Sequence, residues 1–163
     1  MRLAGPTVIG SSVVAAALLI AGCGGGSGGS SIAPASKPLR SGSALVNSST
    51  TASLGDILVG PNGHTLYVFL KDTGPKSSCS GACASDWPPL TTTGKLTTAG
   101  GVSTSALKTE RRSDGTMQVT FDGHPLYYYA GDQKAGDTTG QGLNQFGAAW
   151  YVLAANGNKI DNG

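Results

Sequence analysis

The segment Gly63-His64-Thr65-Leu66-Tyr67-Val68-Phe69-Leu70-Lys71-Asp72 returns sixty positions later as Gly123-His124-Pro125-Leu126-Tyr127-Tyr128-Tyr129-Ala130-Gly131-Asp132. Glycine, histidine, leucine, tyrosine and aspartate are kept, and Phe69 is answered by another aromatic, Tyr129. The match continues outwards. Ile57 and Val59 align with Met117 and Val119, Asn62-Gly63 with Asp122-Gly123, and a tryptophan follows each copy, Trp87 and Trp150. Agreement at so many spaced positions marks a duplicated structural unit, so the fold must be assembled from two related pieces.

Each piece reads as β structure. Asn-Gly and Asp-Gly supply the positive φ values of a two-residue type I′ turn, which predicts hairpins. In the second unit Asp114-Gly115 joins a strand over 107–112 to one over 116–121, and Asp122-Gly123 turns into 124–129, giving a three-stranded meander. In the first, 56–59 pairs with 65–70, with Gly60-Pro61 lengthening the loop, and a last strand over 150–154 closes the sheet. No stretch carries a long amphipathic helical period, and the 26 glycines punctuate at strand spacing. The expected fold is mainly β: two related antiparallel β units forming one small domain over 54–163, repeat 1 over 54–100 and repeat 2 over 105–155.

Strand alternation sorts the repeated side chains into two faces. Tyr67 and Phe69, like Tyr127 and Tyr129, fall on one, and Leu66 and Val68, like Leu126 and Tyr128, on the other. Both faces are apolar, which describes strands covered on both sides. The tyrosine motif therefore reads as core, with phenol hydroxyls reaching polar partners at its edge. An aromatic groove for a flat or sugar-like ligand is the alternative. Asp72 and Asp132 close the two copies before turn-rich segments, where a carboxylate is expected to accept backbone amides two residues ahead. A cation site at Asp132 and Asp137 competes with that reading but lacks the alternating oxygen ligands of a calcium loop. His64 and His124 flank turns and read as exposed and inert, the competing reading being a joint metal or haem site.

Ahead of the repeats, Arg2 precedes an uncharged stretch, 7–20, that is short of the roughly 20 apolar residues of a membrane span. It ends in Leu19-Ile20-Ala21-Gly22-Cys23, which resembles the lipobox of bacterial lipoproteins. That resemblance implies a leader, 1–22, cut away before a cysteine whose thiol carries diacylglycerol, so that acylated Cys23 binds the lipid bilayer. Residues 23–53 are mostly Gly, Ser, Ala, Thr and Pro and read as a flexible tether. The net charge of +2 falls to +1 once Arg2 leaves with the leader. Of the remaining cations only Arg111 and Arg112 are adjacent, and no basic stripe with interleaved aromatics points to nucleic acid. These charges read as a solvated surface.

Setting Cys23 aside leaves Cys79 and Cys83, an even pair in an exported chain. A local disulfide is the leading reading, and Gly81 permits the tight turn between them. A redox dithiol competes, although its usual spacing is one residue shorter and Asp86, an anion, lies near. A metal site lacks further ligands at local spacing.

The combination of Tyr67-Val-Phe69-Leu-Lys-Asp72, Tyr127-Tyr-Tyr129-Ala-Gly-Asp132, the run from Cys79 through Cys83 and Trp87 to Leu90, and the run from Gly131 to Gly142 resembles a family of bacterial lipoproteins carrying a Tyr-x-aromatic-x-x-Asp motif, also described as a secreted repeat of unknown function. The resemblance covers 54–153. It implies an exported, lipid-anchored repeat protein whose motif residues are Tyr67, Phe69, Asp72, Trp87, Tyr127, Tyr129, Asp132 and Trp150, and it implies no reaction. No Gly-x-Ser-x-Gly elbow or comparable local arrangement suggests hydrolysis. The expectation is a non-enzymatic protein, without metal or cofactor, on the extracytoplasmic face of the cell membrane, doing binding or structural work with an envelope protein or small ligand as partner. The alternative is a redox or electron-transfer accessory using Cys79 and Cys83 or a bound metal or haem.

Overall fold

The computed structural model describes residues 42–161, so the leader, Cys23 and most of the tether lie outside the described residues. The strands are β1 (Ala44–Thr51), β2 (Gly55–Val59), β3 (Tyr67–Phe69), β4 (Leu96–Thr98), β5 (Leu107–Arg111), β6 (Met117–Phe121), β7 (His124–Pro125), β8 (Asn144–Gln145) and β9 (Ala148–Val152). One short α-helix, α1 (Ala82–Asp86), and a 3-10 turn at Thr104–Ala106 complete the described elements. The strands form three sheets, ordered β2-β1-β4, β3-β9-β8 and β5-β6-β7. The fold is mainly β and every ladder is antiparallel except β1 with β4.

The expected meander of the second unit is β5-β6-β7, with Arg111 opposite Met117 and Phe121 opposite His124, but its third strand ends at Pro125 instead of running to 129, because Tyr127 turns to bridge Tyr67 and Pro89. Its two turns differ. Asp122 and Gly123 both have positive φ, 48° and 80°, which makes the two-residue turn. At Asp114-Gly115 only the glycine is left-handed, and Arg112 N–H donates to the Thr116 carbonyl across a three-residue loop. Gly60 N–H donates to the His64 carbonyl in the same way, again with only the glycine, Gly63, left-handed. Pro61 explains the first unit's choice: flanking a two-residue Asn62-Gly63 turn it would have to donate an N–H to His64, which proline lacks, whereas its negative φ suits the opening position of the type I turn closed by Gly63 N–H on the Gly60 carbonyl.

Two expectations are corrected. Residues 44–51 belong to the folded domain and not to a tether ending at 53: β1 pairs with β2 from Asn47–Val59 to Thr51–Gly55, and Ala44 and Val46 are buried. Composition hid this strand, because Ser48, Ser49, Thr50 and Thr51 contribute mainly through backbone pairing, which is blind to side-chain polarity. The first unit's pair, 56–59 with 65–70, also survives only in part. A bridge joins Val59 to Thr65 and Leu66 N–H donates to Leu58, after which β3 leaves to pair with β9 of the other repeat, Phe69 opposite Trp150.

Two cores result, one on each side of the repeated strands, as alternation requires. Leu66, Val68 and Leu126 join Val46, Leu58, Leu90, Val119 and Phe121 in the first. Tyr67, Phe69 and Tyr127 join Ile57, Val59, Trp87, Trp150, Val152 and both disulfide cysteines in the second. Val46 is fully buried at 0 % exposure, so Val46→Ala should lower the unfolding free energy by about 2 kcal/mol in urea titrations. An unchanged midpoint would return β1 to the tether.

Candidate functional site

The two copies of the motif meet at one point. Tyr67 N–H donates to the Tyr127 carbonyl at 2.8 Å and Tyr127 N–H returns the bond to Tyr67 at 3.0 Å. This reciprocal antiparallel bridge sets both phenols on the same face, pointing past one another. Each therefore reaches the aspartate of the other copy: Tyr67 Oη donates to Asp132 Oδ2 at 2.7 Å, and Tyr127 Oη donates to Asp72 Oδ2 at 2.6 Å.

The second oxygen of each aspartate holds the loop that follows it. Asp72 Oδ1 accepts the backbone N–H and the hydroxyl of Ser78, both at 2.7 Å. Asp132 Oδ1 accepts the same pair from Thr139, at 2.9 and 2.6 Å. The amides lie six and seven residues ahead, not two, because the chain first makes the turns Asp72 N–H to Phe69 and Asp132 N–H to Tyr129. With its oxygens committed in this way, Asp132 does not share a site with Asp137, whose Oδ2 accepts the amides of Gln133 and Lys134.

Beside the bridge the aromatic residues form a stack. Phe69 lies flat on Trp150 at 4.0 Å, Trp150 on Trp87 at 3.9 Å, and Trp87 on Tyr129 at 4.4 Å. The exchange is again mutual, since the third motif position of each repeat covers the tryptophan of the other. Tyr67 meets Trp87 edge-on at 5.4 Å and Tyr127 meets Trp150 edge-on at 5.2 Å, arrangements favoured by the ring quadrupoles. Gln145 holds both indoles, its Oε1 accepting Trp87 Nε1 at 2.9 Å and its backbone carbonyl accepting Trp150 Nε1 at 3.2 Å. Gly140 closes the Tyr67 side, where a Cβ would come within 2.9 Å of the Trp87 ring and 3.0 Å of the Tyr67 ring. Phe69, Tyr67, Tyr127, Trp87 and Trp150 are buried, and Tyr129 is half-buried.

Cys79 and Cys83 form the expected disulfide, with Cα atoms 5.3 Å apart, and both are buried. In the chain-entropy account so short a loop contributes about 2 kcal/mol. It fixes the segment that runs into α1 and delivers Trp87 to the stack. Arg112 ties this segment to the second repeat: Nη1 donates to Ser77 Oγ at 2.8 Å and Gln118 Oε1 at 2.6 Å, Nη2 donates to the Cys79 carbonyl at 2.7 Å, and Nε faces Asp114 at 3.3 Å. At 8 % exposure it is not the solvated surface charge expected of the Arg111-Arg112 pair. Its place one residue after the alternating strand β5 was the only hint in the sequence. Ser77, Gln118 and Gln145 had no signal, being polar residues whose partners are remote in sequence, and Thr139 stood only within the 131–142 run that carries the family resemblance.

Burial and the facing Asp132 carboxylate push the Tyr67 phenol far above the ordinary tyrosine range, and burial with Asp72 does the same for Tyr127. Burial alone raises Tyr128 to about 12. Hydrogen bonds from Thr116 hold the Asp114 carboxyl below the usual range. His64 is half-buried and His124 exposed, and among the described residues no three His, Cys, Asp or Glu side chains are grouped to hold a metal ion. Among the described residues no helix is long and apolar enough to cross a membrane. Cys23 lies outside the described residues.

The domain is thus built from two copies of one motif, each completing the other. The chain belongs to the family described as secreted repeat of unknown function, whose model matches it twice, over 48–91 and 108–154. No curated protein and no solved structure matches it. The family assignment puts the domain among exported, extracytoplasmic proteins.

Tyr127→Phe keeps the ring but leaves buried Asp72 Oδ2 without its phenol, so it should cost about 1–3 kcal/mol in denaturant titrations. A neutral result would show that the cross-repeat bond contributes nothing net. The raised tyrosine pKa values also set an alkaline limit. A phenol protonated more tightly in the folded state contributes stability that is complete below the unfolded value of about 10 and is lost as pH rises beyond it. Unfolding followed by tryptophan fluorescence should therefore be flat from neutral pH to about 9 and advance steeply above about 10, together with phenolate absorbance. Early, stepwise ionisation of every tyrosine in a still-folded protein would contradict this.

Proposed function

We propose that this protein is a lipid-anchored extracytoplasmic lipoprotein in which acylated Cys23 holds the two-repeat domain at the cell membrane for non-catalytic binding or structural work. The anchor reading is carried by one observation: Leu19-Ile20-Ala21-Gly22-Cys23 stands where an apolar leader meets a Gly/Ser-rich tract. Membership of a secreted repeat family supports export. The non-catalytic reading is supported by the site itself, where motif side chains spend their polar atoms on one another: Asp72 and Asp132 each use both oxygens, and the phenols of Tyr67 and Tyr127 are bound. Burial of Cys79 and Cys83 favours a structural bridge over a cycling dithiol, since exchange needs access to a sulfur.

Growth with a labelled fatty acid, followed by cell fractionation, tests the anchor. The wild-type chain should carry label and sediment with membranes, whereas Cys23→Ser should carry none and retain its leader. Labelling of the variant, or an unlabelled wild-type chain, would remove the anchor while leaving the fold and the family untouched.

A further inference from the structure

The buried ring stack has an arrangement with a chemical consequence beyond packing. Tryptophan and tyrosine are the side chains that give up a single electron most readily, and tyrosine does so efficiently only where a base takes its phenol proton. Trp87 and Trp150 lie face to face at 3.9 Å and 6°, Tyr129 lies on Trp87 at 4.4 Å, and Tyr67 and Tyr127 touch the edges of the two indoles. These oxidisable rings are thus in continuous contact. Each inner phenol also has its base in position, Asp132 Oδ2 at 2.7 Å from Tyr67 and Asp72 Oδ2 at 2.6 Å from Tyr127, within the reach that proton transfer requires.

The two ends of the stack differ in the same sense. Phe69, whose benzene ring resists oxidation, occupies the closed end at 2 % exposure, whereas its counterpart in the other repeat, Tyr129, is oxidisable and keeps part of its surface open. Solvent meets the column at the phenol end.

We infer that the column is a one-electron oxidation site for an outer-sphere oxidant of high potential, such as an oxidised metal complex, with Tyr129 as its port and the Tyr67–Asp132 and Tyr127–Asp72 pairs as its terminus. The oxidant takes one electron through Tyr129, and the electron hole passes through Trp87 and Trp150 to an inner tyrosine. There the phenol O–H bond breaks and a carboxyl O–H bond forms, so that Tyr67 and ionised Asp132 become a neutral tyrosyl radical and protonated Asp132, while the oxidant is reduced by one electron. Tyr127 and Asp72 offer the same step, although the Tyr127 phenol also lies 2.7 Å from Ser77 Oγ, where Tyr67 Oη instead accepts the Gly140 N–H. One electron returned by an external one-electron reductant, with the proton moving back from the carboxyl, restores both groups. Burial keeps water and other radicals from the inner phenols. This inference stands apart from lipid anchoring and from cycling of the disulfide.

Flash photolysis of the full mature chain with tris(bipyridine)ruthenium and a cobalt(III) electron acceptor tests it, read by transient absorbance and by electron paramagnetic and electron-nuclear double resonance of frozen samples. The expected product is a tyrosyl radical whose oxygen is coupled to an exchangeable proton, formed more slowly in heavy water. The Tyr67→Phe and Tyr127→Phe double variant should lose that signal, and Tyr129→Phe should form it several-fold more slowly. A wild-type radical without the exchangeable coupling, no tyrosyl radical at all, or an unchanged signal in a folded double variant, which would place it on Tyr128, Tyr129 or Tyr151, overturns the inference. Should the double variant fail to fold, the single variants Tyr67→Phe and Tyr127→Phe decide the question, since each should lower the yield of the proton-coupled radical and unchanged yields in both would overturn the inference.

Discussion

The structure turns on the exchange of hydrogen bonds across the Tyr67–Tyr127 bridge. Two backbone bonds join the repeats at this point, beside the β3–β9 ladder, and two phenol–carboxylate bonds then commit each tyrosine to the other repeat's aspartate. Because the phenols are buried, the ties are strong in a low-dielectric setting and expensive to leave half made. Each aspartate in turn fixes a loop through Ser78 or Thr139. Neither copy can complete its own motif, so the single domain is the smallest unit in which these groups are satisfied.

The two repeats reach this common centre by different means. The first presents Trp87 from α1, behind the Cys79–Cys83 bridge, while the second presents Trp150 from β9, braced by the β8–β9 hairpin. Gln145 reconciles the two by accepting a bond from each indole. Arg112 does comparable work for the disulfide segment. A buried guanidinium carries a large desolvation cost unless its donors are occupied, and here Ser77, Gln118, the Cys79 carbonyl and Asp114 occupy them. The polar contacts around the stack are therefore a connected set, and the family motif is its repeated part.

Much of this architecture is legible in the sequence. The β5-β6-β7 meander follows from paired turn signals, and the division of Leu66, Val68 and Leu126 from Tyr67, Phe69 and Tyr127 follows from the two-residue period of a strand. The disulfide follows from the even pair in an exported chain. Strand β1 was hidden because its backbone pairing with β2 does not depend on side-chain polarity, and the hydrogen bonds of its Ser48, Thr50 and Thr51 hydroxyls leave no pattern in the sequence. The longer loop at Asn62-Gly63 follows from Gly60-Pro61, but the extra residue in the turn at Asp114-Gly115 does not show in the sequence, because either hairpin loop accepts a glycine at its left-handed position and the neighbours decide which forms.

By itself, then, the sequence determined that there are two related β units, which side chains share a face, and that Cys79 and Cys83 are within bonding range; all of these depend on local period and short spacing. Tertiary structure alone decided that β3 pairs with β9, that each tyrosine answers to the distant aspartate, and that Arg112 is inside. A pattern that is identical in both repeats cannot say whether a tyrosine binds its own copy's aspartate or the other's. The bridge geometry settles it, because antiparallel strands crossing at Tyr67 and Tyr127 carry each phenol away from its own loop and towards its partner's.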